Sequence, residues 1–252
     1  MKKMIIADRI VKSFGEGDER RNVLDGVSVE ISEGEFVAVM GPSGSGKSTL
    51  MFALSGTDSV DGGTVVFDGK DLSSASENEL SDIRRNKMGF VFQQPTLLKN
   101  LNILDNIILP SMRDNRKNAA SISEKARMLM KRVGIAELEN REITQVSGGQ
   151  LQRAGICRAL MNSPKIIFGD EPTGALNSKS AQEIMDLFSE INADGTAIML
   201  VTHDAKVAAR TERIMFMRDG TISSELALPK FDGTDLDDRV EEVTEKMREI
   251  GI

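Results

Sequence analysis

The sequence predicts an α/β core built on a parallel sheet, with an antiparallel β patch ahead of it and a helical insertion inside it. Three observations carry this expectation. Short apolar runs, "EFVAVM", "KIIFGD" and "TAIMLVTHD", recur with helix-like stretches between them, and strands alternating with helices make parallel sheets joined by crossovers. A glycine-rich turn, "GPSGSGKST", follows the first run directly. From about residue 71 to residue 141 the texture becomes polar and helical.

Taken in order, "NVLDGVSVEI" sets Val27, Val29 and Ile31 on one face, the period of a half-buried antiparallel strand. "EFVAVM" does not alternate, as expected of a central strand covered on both faces. "GGTVVFDG" reads as a further strand bracketed by glycines. In the helical stretch, "SISEKARMLMKRVGI" offers Ser121 and Glu124 as a capping box and gathers Ala126, Leu129, Met130 and Val133 on one helical face. "SKSAQEIMDLFSEIN" does the same with Ala181, Ile184, Phe188 and Ile191. Beyond Pro229, the residues Leu236, Val240, Val243, Met247 and Ile250 step by four and three. That apolar seam, too short for a coiled coil, belongs to a tail helix that packs on its own domain or meets a partner. The expected division is one domain over residues 1–228, its helical part at about 95–160, and a tail helix in 229–252.

Composition narrows the function classes. Apolar residues make up 40% and charged residues 28% of 252, ordinary globular usage. The net charge of −7 disfavours a grip on nucleic acid, which calls for a basic excess. Cys157 is the sole cysteine, so no internal disulfide forms; this fits a reducing cytosol, with Cys157 serving as a small hydrophobe in a helix. No run approaches the roughly 18 apolar residues that span a bilayer. The opening "MKKMIIADRI" is interrupted at Asp8, unlike a signal peptide. The expectation is a soluble protein that reaches a membrane only through a partner.

The turn Gly41-Pro42-Ser43-Gly44-Ser45-Gly46-Lys47-Ser48 fits G-x-x-x-x-G-K-[ST]. Glycines bring the backbone close to a phosphate chain, successive N–H groups form an anion nest, and the helix starting near Lys47 adds its positive end. Lys47 suits the β- and γ-phosphates, Ser48 a Mg²⁺ ion and Thr49 the α-phosphate. "KIIFGDEPTG" sets Asp170 and Glu171 at a strand end. The ligand crevice of a parallel sheet lies outside its carboxyl ends, so these acids and the phosphate turn should converge. Adjacent strand residues point opposite ways, which lets Asp170 hold Mg²⁺ while Glu171 polarises an attacking water. His203, the one histidine, ends "IMLVTH", and Gln93 follows the strand in "GFVFQQP". His203 is either structural or a γ-phosphate contact; Gln93 offers an amide to Mg²⁺ and the water. "VSGGQLQR" reads as a second anion-binding turn ahead of a helix beginning near Gln150, one more than a single nucleotide needs.

These pieces in this order resemble the ATP-binding-cassette ATPases, over about residues 4–225. The resemblance implies a RecA-like P-loop core, an antiparallel β subdomain and a helical signature subdomain, with ATP and Mg²⁺ bound. It also implies a head-to-tail pair of domains, in which Ser147, Gly148, Gly149 and Gln150 of one copy cap the ATP held by the other, at a self-complementary interface. Phe14, in "VKSFGEG", falls where the family stacks an aromatic ring on adenine; the alternative is a buried strand phenylalanine. Two departures stand out: Val146 replaces the usual leucine ahead of the signature, and Asn177 in "GALNSKS" replaces the usual aspartate, leaving coupling between the two copies in doubt. A single cassette resembles a transporter's ATPase subunit, peripheral to the cytoplasmic face and bound to a separate permease. "MGFVFQQPTLLKNLNILDNIILP" looks most like the branch of macrolide exporters, lipoprotein-release and bacitracin-resistance ATPases, and "GALNSKS" with the acidic tail leans towards antimicrobial-peptide resistance. A transmembrane signalling complex and a soluble cassette ATPase are the alternatives.

Overall fold

Two sheets of different kinds share one helix. In the computed structural model, which describes residues 2–113 and 116–252, strands β1 (Lys3–Phe14) and β2 (Arg21–Ser32) pair antiparallel, and the chain then enters β3 (Phe36–Met40), α1 (Lys47–Leu54), β4 (Gly62–Phe67) and β5 (Lys70–Asp71). The first sheet has the order β2-β1-β4-β5 and is antiparallel throughout. Next come α2 (Glu77–Lys87), β6 (Met88–Phe92), α3 (Ile103–Met112), α4 (Ala119–Arg132), α5 (Gly148–Leu160), β7 (Ile166–Asp170), α6 (Ser178–Ala193), β8 (Ala197–Val201), α7 (Ala205–Ala208), β9 (Arg213–Arg218), β10 (Thr221–Ala227) and α8 (Leu236–Glu249). The second sheet runs β10-β9-β3-β8-β7-β6, parallel except for the β9–β10 hairpin.

The uninterrupted apolar run of β3 is explained by its place. It lies between β8 and β9, and all five of its residues are buried. Val37 and Val39 face a core that contains Leu50, Met51 and Leu54 of α1 and the inward side chains of β1, β2 and β4. Phe36 turns to the opposite face, where α3, α4, α5 and α6 pack against Ile167, Ile198 and Leu200. Each such side chain contributes about 1.5–3 kcal/mol by leaving water. α1 is thus clamped between the two sheets, and its N-terminus points where β3 ends.

One local expectation is corrected. Ser121 and Glu124 do not cap a helix: α4 starts at Ala119, with Asn118 in the N-cap position, because the alanines at 119 and 120 are strong helix formers. The helix after the signature begins at Gly148, within two residues of the expected start, and Ser147 and Gln150 close a capping box around its first turn.

The tail helix turns its seam inward. Val243, with Leu236, Val240, Met247 and Ile250, packs on Ala38, Met40, Ala208, Ile214 and Phe216. Arg239 lies on this same side, only 3% exposed, and donates to the carbonyls of Ala209 (2.6 Å), Pro229 (2.9 Å) and Thr211 (2.9 Å). The Phe231 ring lies against both Arg210 and Arg239. Replacing Arg239 with methionine leaves three inward carbonyls without donors; stability should fall by about 2–4 kcal/mol, read as a lower urea midpoint with an unchanged slope. An unchanged midpoint would show that the guanidinium does not hold the tail.

Candidate active site

The turn between β3 and α1 is shaped by the chain's own backbone before any ligand is considered. Gly41 (φ 154°) and Gly46 (φ 99°) adopt conformations that disfavour side chains. A Cβ on Gly41 would collide with the Met217 carbonyl, and one on Gly46 would come within 2.6 Å of the Val23 carbonyl. The turn is therefore wedged between β2 and β9. Its middle is pinned by Ser45 N donating to the Pro42 carbonyl and Gly220 N donating to the Ser45 carbonyl, both at 3.2 Å.

That turn has the features of an anion site. α1 begins with Gly46 as N-cap, with no side chain capping it and no acid in its first turn, so its leading N–H groups are available to a ligand. Lys47 folds back, its Nζ donating to the carbonyls of Gly41 (2.8 Å) and Pro42 (2.9 Å). Burial lowers its pKa, while Glu171 and Asp170 act to raise it. Among the described residues the Ser45 Oγ, buried in the turn, has no hydrogen-bond partner. A cavity of about 320 Å³ opens over the turn, lined by Phe14, Val23, Gly44, Gly46 and Lys47–Thr49. Phe14 is 49% exposed, so it is not a buried strand residue. Lysine ammonium, helix N-terminus, open glycine backbone and an apolar ring form a donor set that fits a nucleoside triphosphate.

The carboxylates converge on it as their strand predicts. Ser48 Oγ donates to Asp170 Oδ1 at 3.0 Å, joining α1 to the end of β7. Burial raises the Asp170 carboxyl above its ordinary pKa; the Ser48 hydrogen bond opposes this, Glu171 adds to it and Lys47 opposes it. Two oxygens this close suit a hard divalent cation. Glu171 takes a different direction. Its φ of 48° puts it in the left-handed region, an uncommon and strained conformation for such a residue. Its N–H donates to the Val201 carbonyl at 2.9 Å. Glu171 Oε1 lies 2.8 Å from Nδ1 of His203, just past the end of β8. The His203 side chain is 74% exposed. Gln93, exposed at the end of β6, lies against the segment after Glu171: a Cβ on Gly174 would come within 3.0 Å of its Nε2.

The signature residues stand apart. Ser147 and Gly148 are exposed at the start of α5. The Ser147 N–H donates to Gln150 Oε1 (2.8 Å), and its Oγ accepts from Gln150 N (3.4 Å). Among the described residues no hydrogen bond joins 147–150 to the phosphate turn. Asn177 serves its own chain, where its Oδ1 accepts from Ser180 N at 2.9 Å and caps α6. Asparagine and aspartate cap about equally well, so Asn177 serves the start of α6 as an aspartate would.

A buried glutamine behind the carboxylates is not marked by the sequence. Gln152 is 1% exposed and donates from Nε2 to the carbonyls of Phe92 (3.0 Å) and Pro172 (2.8 Å). It ties the helix of the signature both to the strand end before Gln93 and to the loop after Glu171. Nothing in its local pattern marks it, because its partners lie 60 and 20 residues away.

The chain is similar to known proteins in both sequence and fold. The family model described as ABC transporter matches residues 24–174. The ABC transporter ATP-binding protein YknY of Bacillus subtilis is 43% identical over 219 residues, covering 87% of this chain and 95% of that protein. The macrolide export ATP-binding/permease protein MacB of Aggregatibacter actinomycetemcomitans is 42% identical over 84% of this chain, which spans only 33% of MacB's length. Among solved structures, the dimeric ABC transporter cassette MJ0796 superposes with a TM-score of 0.82 at 38% identity, covering 90% of this chain and all of that one. A dimeric post-hydrolysis state of MJ0796 bound to ADP and Pi gives a TM-score of 0.77 at 39% identity, with the same coverage.

Proposed function

This chain belongs to the ABC transporter family, and on that basis we propose that two copies of it sandwich two ATP molecules and drive a separate membrane permease. The chain is an ATP-binding, ATP-hydrolysing cassette. The observation that carries the site assignment is the 3.0 Å hydrogen bond from Ser48 to Asp170. It brings the phosphate turn and the carboxylate strand end to one point, although 122 residues separate them.

In this reading Lys47 exchanges its two backbone carbonyls for the β- and γ-phosphates, and the first turn of α1 donates its free N–H groups to the same anion. Ser48, Asp170 and Gln93 would hold Mg²⁺, which supplies positive charge to the phosphate oxygens. Glu171 orients and polarises the attacking water, while His203 steadies that carboxylate through Nδ1 and offers its exposed ring to the γ-phosphate. Thr49 serves the α-phosphate and Phe14 stacks on adenine. The exposed start of α5 is incomplete on its own chain; Ser147, Gly148, Gly149 and Gln150 present a helix N-terminus to the ATP of the partner. The dimeric cassettes among the similar structures support this arrangement.

Among the described residues no helix is long and apolar enough to cross a membrane, and relatives such as MacB carry a permease in the same polypeptide. We therefore assign this chain to the cytoplasmic face of a membrane, held there by its permease, in an exporter of the macrolide or antimicrobial-peptide type. Affinity purification from detergent-solubilised membranes should recover an integral membrane protein with it; recovery of ribosomes or DNA in its place would overturn that assignment.

Glu171→Gln tests the chemistry. The variant should bind ATP with about wild-type affinity and lose turnover by about 100-fold or more, the usual weight of a general base. Calorimetry and phosphate release check the two halves. Undiminished release would remove Glu171 from its role.

A further inference from the structure

The strand that ends in Phe14 is fastened to the far end of the phosphate-binding helix. Lys12 is 8% exposed. Its Nζ donates to Asp58 Oδ1 (2.8 Å) and to the Ser59 carbonyl (2.7 Å). The next residue is held as well, Ser13 N donating to Asp61 Oδ2 at 2.7 Å. The segment that supplies these acceptors leaves α1 directly: the N–H groups of Thr57 and Asp58 donate to the Phe52 carbonyl at 2.9 and 3.1 Å. One end of α1 carries Lys47 and Ser48; the other holds the strand that carries Phe14.

Burying an ammonium is a costly way to attach a strand, because its lost hydration must be replaced by a carboxylate and further hydrogen bonds. Lys12 does something an apolar side chain could not. Its Nζ lies over the Phe14 ring, 5.3 Å from the centroid, while that ring remains 49% exposed and lines the cavity above the phosphate turn. One face is thus occupied by a fixed cation and the ring stays open to a ligand. A cation draws the ring's π density towards itself. The opposite face becomes electron-poor, and offset stacking with an electron-rich purine is favoured.

We propose that Lys12 is a positioning residue for the nucleobase: held by Asp58 and Ser59, it fixes and polarises the Phe14 ring so that the open face receives the adenine of ATP. The proposal rests on the reading of Phe14 as the base-stacking residue. It adds that base recognition is separable from the grip on phosphate, although both are mounted on the two ends of α1.

The test compares binding of ATP with binding of inorganic tripolyphosphate, which has no base, both in Mg²⁺ and measured by competition calorimetry. Lys12→Met should weaken ATP about three- to tenfold and leave tripolyphosphate unchanged, whereas Lys12→Arg, which keeps the cation, should preserve the wild-type ratio. In a Phe14→Ala background, Lys12→Met should cost ATP nothing further, a result that a purely structural lysine would not give. Equal losses for both ligands, or the same ATP loss without the ring, would overturn the proposal. If Phe14→Ala lowers the ATP-to-tripolyphosphate ratio and Lys12→Met does not, the lysine's role fails alone; if Phe14→Ala leaves the ratio unchanged, the base platform itself fails. Should Lys12→Met not fold, Asp58→Asn loosens the anchor and keeps the lysine. A loss confined to ATP supports the proposal, and a loss for both ligands or for neither overturns it.

Discussion

Parallel strands end at the same edge, and this constraint organises the whole molecule. β3, β6, β7 and β8 lie in one parallel array. The residues that follow their carboxyl ends, the glycine turn, Gln93, Glu171 and His203, therefore arrive together however far apart they lie in the chain. The hydrogen bond between Ser48 and Asp170 and the contact between Glu171 and His203 are the local results. Burial of β3 on both faces makes the edge rigid, because a central strand cannot shift register without moving its side chains between two cores.

The site is held in tension rather than at rest. Lys47 is partly desolvated and satisfied by backbone carbonyls. Asp170 is shifted towards its protonated form by burial, and Glu171 sits in a left-handed conformation. A polyanion in the turn would give Lys47 charged acceptors in place of its carbonyls, and the accompanying cation would give the Asp170 carboxylate a positive partner. The close approach of the Met217 and Val23 carbonyls at Gly41 and Gly46 means that the turn is already formed. Binding then has little backbone ordering to oppose it.

The architecture was legible where burial is symmetric. β3, β7 and β8 are covered on both faces and read as unbroken apolar runs, and the phosphate turn, Asp170, Glu171 and His203 lie at or just past their carboxyl ends, where the sequence places them. β1 was not legible as one strand. Its register shifts, among them one between Ala7 and Ile10, and the positive φ of Arg9 break the period of two on which the reading depends. The outer strand β10 alternates only between exposed and half-buried positions and left little apolar signal. The tail's seam was visible, but an amphipathic period does not say what covers it. Arg239, Gln152 and Lys12 are the instructive omissions: each is a polar side chain that would pass for surface, buried because its acceptors come from distant parts of the chain.

Among the described residues, the N-terminus of α5 makes no hydrogen bond to the phosphate turn of its own chain. Ser147 and Gln150 satisfy each other and present a positively polarised turn, while a cavity opens over the phosphate turn. In the proposed arrangement a self-complementary pairing would satisfy both at once, because each copy would bring one turn and receive the other. The most direct measurement is sedimentation of Glu171→Gln with ATP, alone and combined with Ser147→Arg. The expected result is a dimer that forms with ATP and is lost in the double variant, which still binds ATP as a monomer. Equal dimer formation by both variants would contradict a site shared between two copies.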